Sequence, residues 1–139
     1  MIKQDNMNQK TLQNIIALTE KRIPLLRNRE DGEFYRWSQT FLDGIEDEIE
    51  EVKEELQSGR KVFLEDELGD VFWDYVCLLE NLELEGKIEK SQVFERCWKK
   101  FSERLNADGS NNGDWYAVKK KQKEELQKEQ ENYKNWYNA

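Results

Sequence analysis

The chain has 139 residues, with 22 Lys and Arg against 30 Asp and Glu, a net charge of −8 and no histidine. This length predicts a single domain over residues 1–139, and the acidic balance argues against binding to nucleic acid or to an anionic membrane surface. The lack of histidine excludes Ser-His and Cys-His catalysis and the usual zinc sites, so a bound metal would be a hard cation held by oxygen atoms.

Apolar residues at helical spacing predict four helices in the first 105 residues. The first helix is bent or ended by Pro24, and a polar segment around Asp31 separates it from the second. The fourth is followed by a loop, 106–114, and by a charged C-terminal helix or tail, 115–139, so the core covers about residues 8–105. The four predicted helices are Thr11–Leu26, Gln39–Gln57, Val62–Glu83 and Ser91–Leu105.

The predicted fold is all-α. The short connection "SGRK" predicts that the second and third helices pack as an antiparallel hairpin. An apolar content of 37% predicts that this helical bundle is completed by oligomerisation. No apolar run approaches the length of a membrane span, and the N-terminus lacks the apolar core of a signal peptide, which predicts a cytoplasmic location.

The fourth helix is predicted to bury an apolar face and to carry basic residues beside it. Cys77 and Cys97 both lie in apolar helical patterns and are predicted to be small buried hydrophobes rather than reactive or paired thiols. The apolar face of the fourth helix consists of Val93, Phe94, Cys97, Trp98 and Phe101.

Acidic residues are concentrated between Asp43 and Asp70, where twelve acidic and three basic residues give the segment a charge of −9. Such a run is usually a solvated helix face. Two features favour a site instead. The third helix carries acids at i, i+3 and i+7 within a strongly apolar sequence, and Gly69 is a costly residue inside a helix, which predicts the close approach of a neighbouring helix.

Residues three and four apart stack on one side of a helix, so the acids can be sorted by face. Each of the two helices then has an acidic edge beside its apolar stripe, and the hairpin brings these edges together. Carboxylates so placed need a cation, and Mg²⁺, or Mn²⁺ in its place, takes oxygen ligands and leaves positions for water and phosphate. The edge residues are Glu48, Glu51 and Glu55 on the second helix and Glu67, Asp70 and Asp74 on the third.

The sequence "DEIEE", followed by "EDELGD", resembles the E-E-x-x-E…E-x-x-D signature of MazG-like nucleoside triphosphate pyrophosphohydrolases. The match is Asp47-Glu48-x-x-Glu51, then Glu67-x-x-Asp70. The alternative register Glu50-Glu51-x-x-Glu54 also fits the letters, but it turns the last glutamate away from the seam between the helices. The resemblance extends over about residues 37–105, through "VFERCWKKFSERL".

The resemblance implies an all-α homodimer or homotetramer that cleaves a nucleoside triphosphate between the α and β phosphates. It implies that one of the glutamates of the second helix, Glu51 or Glu48, orients or deprotonates the attacking water. The implied Mg²⁺ ligands are Glu48, Glu51, Glu67 and Asp70, with Asp74 beside them as a further metal-binding candidate.

Lys100 and Arg104 match the family's phosphate-binding cations, which would neutralise charge on the leaving pyrophosphate. The chain departs from the family here, because "RLNADGSNNGD" stands where many members have "RHPHVF". A solvated helix face, with Glu95 and Glu103 as ion-pair partners, is the competing explanation for these two cations.

The nucleobase would stack on an aromatic residue, with Trp37 and Phe34 as the first candidates, although each also suits a core or an interface. Trp73, placed opposite the apolar stripe of its helix, is predicted to lie at an oligomer interface.

Alternatives to a general nucleotide pyrophosphohydrolase are a relative specific for dUTP or phosphoribosyl-ATP, and a non-catalytic acidic helical protein that binds a basic partner. A calcium regulator is excluded by the lack of a calcium-binding loop.

Overall fold

The computed structural model of the chain describes residues 2–29 and 37–133. The protein is 81% helical, which confirms the all-α prediction, and the described residues form no strand beyond an isolated bridge between Leu105 and Asn111. None of the described helices is both long and apolar enough to cross a membrane. The helices are α1 (Ile2–Arg27), α2 (Ser38–Ser58), α3 (Lys61–Leu84), α4 (Lys90–Arg104) and α5 (Trp115–Gln130).

The chain divides into two compact units, Met1–Gly86 and Lys87–Ala139. The first contains α1, α2 and α3, and the second contains α4 and α5. A single functional domain over residues 1–139 stays a prediction.

Helix α1 begins nine residues earlier than predicted, at Ile2 rather than Thr11, and continues past Pro24 to Arg27. Residues 2–10 hold no glycine or proline and are mostly compatible with a helix, but they are too polar to produce an apolar stripe. Pro24 has no N–H to donate to the carbonyl four residues earlier, so α1 lacks one hydrogen bond there, but the helix continues for three more residues to Arg27.

The core of the first unit lies where α3 packs against both α1 and α2. Residues 76–81 of α3 are buried without a break, so this part of the helix has no solvent-facing side. Cys77 is buried, as predicted, and this burial raises the pKa of its thiol to about 12. The core cluster consists of Ile23, Leu26, Phe41, Cys77 and Leu78.

Trp73, which was predicted to lie at an oligomer interface, is half-buried and packs against this core cluster. A helix that contacts partners on two sides does not have one apolar stripe, so a residue opposite the stripe is not thereby exposed. Two apolar residues of α3, Leu68 and Tyr75, are 50% and 42% exposed.

Helices α2 and α3 are joined by two residues, Gly59 and Arg60. Gly59 ends α2 in the left-handed conformation with φ of 73°, which glycine adopts without a steric penalty. The carboxylate of Glu55 forms a salt bridge with Arg60 and accepts a hydrogen bond from the Ser58 hydroxyl. Glu55 therefore stabilises the turn, rather than supporting the acidic edge.

A buried polar network connects the start of α2 to the end of α3. The fully buried Asn81 accepts a hydrogen bond from Arg27 of α1 at 2.6 Å and donates to Ser38 Oγ at 3.2 Å and to Glu85 Oε1 at 2.9 Å. The start of α2 thus lies beside the end of α3, and Gly44 of α2 lies beside Asp74 of α3.

In the second unit the predicted burial of the apolar face of α4 is wrong, since none of the residues of α4, all of them described, is buried. Trp98 is 75% exposed, Phe94 and Phe101 are each 43% exposed, and Cys97 is exposed. The side of α4 that packs on α5 is polar instead, and the amide of Gln122, a buried residue of α5, lies within it. Periodicity identifies an apolar face but not whether a neighbour covers it.

Candidate metal centre

Three predicted carboxylates from α2 and α3 meet at one point. Glu48, Glu67 and Asp70 each offer a carboxylate oxygen, and these three oxygens lie within 4.8 Å of one another. Glu67 and Asp70 are three residues apart on α3 and therefore share a face. The packing of α2 against α3 brings Glu48 to that face.

The environment of the cluster fits a metal ion with oxygen ligands. Glu48 and Glu67 are half-buried, and each has one buried carboxylate oxygen, Oε2, without a hydrogen-bond partner in the described part of the chain. Buried carboxylate oxygens are normally satisfied by donors or cations. A divalent cation with a preference for hard ligands would satisfy both oxygens, and the chemistry of this donor set excludes a soft-metal site.

Burial and the nearby negative charges raise the pKa values of carboxyl groups in the cluster. Burial, a hydrogen bond to Glu51 and the charges of Glu51, Asp70 and Asp74 raise the pKa of Glu48 from the ordinary 4.5 to about 7. The pKa of Glu67 is also raised, first by a hydrogen bond to Glu51 and then by burial. Without a cation, the cluster therefore retains protons that isolated glutamates would release.

Glu51 and Asp74 lie next to the cluster but outside the group of three. Glu51 is exposed and is close enough to hydrogen-bond with Glu48 and Glu67. Asp74 is half-buried, and burial followed by the charge of Asp70 raises its pKa.

The close helix approach predicted at Gly69 occurs at Gly44 instead. A Cβ atom at Gly69 would meet nothing within 4 Å, whereas a Cβ at Gly44 would lie 3.2 Å from Oδ2 of Asp74. Gly44 interrupts the helical pattern "FLDGIEDE". A glycine inside a helix predicts a close approach of a neighbouring helix, and this argument applies to Gly44 as it does to Gly69. Gly44 is the site feature that sequence analysis missed.

The remaining candidates do not belong to this cluster. Lys100 and Arg104 are in the second unit, and neither of them contacts Glu95 or Glu103 as the competing explanation required. Trp37 is 62% exposed and directly precedes α2. Phe34 lies outside the described residues.

A family model of the MazG nucleotide pyrophosphohydrolase domain matches residues 36–107, which is more than half of the chain. The matched region contains all three carboxylates of the cluster. The chain belongs to the MazG family. Its activity is therefore that of a nucleotide pyrophosphohydrolase, a hydrolase acting on phosphoric anhydrides.

Members of the MazG family typically depend on divalent metal ions, in agreement with the carboxylate cluster. Searches of curated proteins and of solved structures found no significant match to the chain.

Proposed function

We propose that this MazG protein is a Mg²⁺-dependent enzyme that hydrolyses (d)NTPs to (d)NMPs and pyrophosphate. The observation that carries the proposal is the convergence of Glu48, Glu67 and Asp70, with two buried oxygens that lack partners. In this proposal α2 and α3 are the family's antiparallel hairpin, and the metal site lies along its acidic edge. Mn²⁺ would suit the same oxygen ligands.

In the proposed site, Glu48, Glu67 and Asp70 hold the metal, and Asp74 supports them from the next turn of α3. Bound Mg²⁺ would supply charge neutralisation and polarisation of the phosphate oxygens. Glu51 is the better candidate to orient and deprotonate the attacking water, because it is exposed and lies outside the group of three. Glu48 is the alternative.

The attacking oxygen forms a new bond to the α phosphorus, and the bond from that phosphorus to the bridging α–β oxygen breaks. The proton of the water passes to the glutamate. The electron pair of the broken bond leaves with pyrophosphate, whose growing negative charge is neutralised by Lys100 and Arg104 in this proposal.

We further propose that the substrate carries a nucleobase and that several chains assemble. Trp37 exposes its ring directly before α2 and is available for stacking on a base, and Phe34 is the second candidate. The exposed faces of Phe94 and Trp98 favour a homodimer or homotetramer that covers them. A cytoplasmic enzyme that removes unwanted nucleotides from the pool fits this chemistry, as does a relative restricted to dUTP or phosphoribosyl-ATP.

One experiment tests both the reaction products and the register of the family signature on α2, which includes either Glu48 or Glu54. Incubation with a panel of NTPs and dNTPs, followed by ³¹P NMR, distinguishes monophosphate and pyrophosphate from diphosphate and phosphate. We expect Glu48→Gln to lower kcat by at least about 100-fold and Glu54→Gln, on an exposed residue of the same helix, to leave it unchanged. Release of single phosphate groups would contradict the reaction, and the reverse ranking of the two variants would contradict the register.

A further inference from the structure

Two of the basic residues on α4 are neutralised within the second unit. Arg96 forms a bidentate salt bridge with Glu129 of α5. Lys99 lies 3.3 Å from a carboxylate oxygen of Glu125 on α5 and 3.8 Å from one of Glu103 on its own helix. These two cations are therefore poorly suited to bind a further anion.

Lys100 and Arg104 contact an uncharged residue of α5 instead of a glutamate. The side chain that contacts both is Gln122, which is 8% exposed and carries no charge. Its Nε2 donates to the carbonyl oxygen of Lys100 at 3.0 Å and to Oε1 of Glu103 at 2.9 Å, while its Oε1 accepts a hydrogen bond from Nε of Arg104 at 2.8 Å. A neutral amide thus holds the guanidinium without cancelling its charge.

The orientation of Arg104 is fixed on a second side by aromatic rings. Its guanidinium lies 5.0 Å from the centre of the Trp115 ring and 5.7 Å from that of Phe101, in the range of cation–π attraction. Within the described part of the chain, its two terminal nitrogens and the ammonium group of Lys100 have no acceptor within hydrogen-bonding distance. These terminal nitrogens are the fork with which arginine binds phosphate.

Gln122 also donates a hydrogen bond to Glu103, whose carboxylate could otherwise neutralise Lys100 and Arg104. Glu103 directly precedes Arg104 in the chain, and its two oxygens are directed to Gln122 and Lys99. A carboxylate at position 122 would also accept from Arg104, but it would remove the positive charge that a phosphate needs. The residue type at this position therefore matters for anion binding as well as for packing.

We propose that Gln122 is a positioning residue for phosphate recognition: it orients Arg104 through Nε, keeps Glu103 away, and so leaves Lys100 and Arg104 as an unneutralised pair of cations for the phosphate chain. This inference rests on the proposed function, which assigns phosphate binding to those two cations. It gives α5 a part in the reaction, although α5 lies outside the residues matched by the family model.

A double-mutant cycle tests whether Gln122 acts through Arg104. The affinity of the full-length protein for inorganic tripolyphosphate in the presence of Mg²⁺ is measured by calorimetry for the wild type, Arg104→Ala, Gln122→Met and the double variant. We expect Arg104→Ala to weaken binding by about tenfold or more, which is the usual value of a charge-assisted hydrogen bond. We expect Gln122→Met to weaken it by about fivefold, and by clearly less in the Arg104→Ala background, where only the effect of Glu103 on Lys100 is left. Arg96→Ala, the matched control, should change it less than twofold.

Gln122→Glu separates the effect of charge from that of packing, because it has nearly the same size and retains an acceptor for Arg104 but is negatively charged. Our inference predicts binding at least as weak as in Gln122→Met, and far-ultraviolet circular dichroism checks that both variants fold. Wild-type affinity in Gln122→Glu, or an undiminished effect of Gln122→Met in the Arg104→Ala background, would overturn it. If Gln122→Met does not fold, the result with Gln122→Glu decides alone.

Failure of this inference is distinguishable from failure of the proposed function. Pyrophosphate release without coupling between Gln122 and Arg104 would overturn only the inference. Coupled tripolyphosphate binding without hydrolysis of any nucleotide would overturn the proposed reaction and leave the positioning role of Gln122 intact.

Discussion

Glu48→Gln should make the metal-free protein more stable at pH 8 and change little at pH 4.5. In the folded chain the pKa of Glu48 is about 7 instead of 4.5. The unfolded chain therefore releases this proton first as the pH rises, and stability falls between pH 4.5 and pH 7. This loss of stability is absent well below pH 4.5 and complete well above pH 7. Glutamine resembles the protonated glutamate and does not carry this loss.

The size of the effect follows from the same pKa. Each tenfold difference in proton affinity between the folded and unfolded chains corresponds to about 1.4 kcal/mol. The rise from 4.5 to about 7 sets an upper limit of about 3.4 kcal/mol. Glu48 is only partly buried and water screens its charge, so we expect a gain of about 1–2 kcal/mol at pH 8.

Urea unfolding followed by far-ultraviolet circular dichroism measures this difference. Wild type, Glu48→Gln and the exposed control Glu54→Gln are compared with EDTA at both pH values. The control should stay within about 0.3 kcal/mol of wild type. A gain of equal size at both pH values, or a loss at pH 8, would refute the reasoning that Glu48 is held at an energetic cost in the metal-free cluster. With Mg²⁺ in place of EDTA, the wild type should regain the difference, because metal binding favours the ionised carboxylates.

Three further predictions concern the helices that support the cluster. Gly69→Ala should raise the free energy of unfolding by about 0.5–1 kcal/mol, since the new methyl group meets nothing and alanine favours a helix, and thermal unfolding measures it. Gly44→Ala should gain much less, because its methyl group would press on Asp74, and it should weaken Mg²⁺ binding several-fold by calorimetry; equal gains in both glycine variants would contradict the close contact. Asn81→Ala should lower the free energy of unfolding by about 2–3 kcal/mol in urea, because Arg27 loses a buried acceptor; a loss below about 0.5 kcal/mol would contradict this.

The helices and the carboxylate cluster could be predicted because both depend on local spacing. An apolar repeat indicates a helix whatever its partner is, and acids three residues apart, such as Glu67 and Asp70, must share a face. The polar start of α1 gave no such signal, so the predicted helix began too late. Glu51 was predicted as a metal ligand and Asp74 as a further candidate, and both lie beside the group of three; their separation from it depends on the packing of α2 on α3.

Burial by a neighbour could not be predicted from spacing alone. Trp73 packs against the core because α3 has partners on two sides, and Trp98 is exposed although it lies on the apolar face of α4. The role of Gln122 also gave no signal in the sequence, because a glutamine in a charged helix is normally solvated. Contacts between helices determine all three positions.

Pyrophosphate release tests directly whether the carboxylates of α2 and α3 bind the metal ion used in nucleotide cleavage. It is measured on the wild type, Glu67→Gln and Asp66→Asn, with Mg²⁺ and with EDTA. Asp66 is exposed and adjacent to Glu67 on the same helix, so it controls for loss of negative charge. We predict Mg²⁺-dependent release in the wild type and in Asp66→Asn, and its loss in a folded Glu67→Gln. Release that persists in Glu67→Gln or in EDTA would contradict the claim.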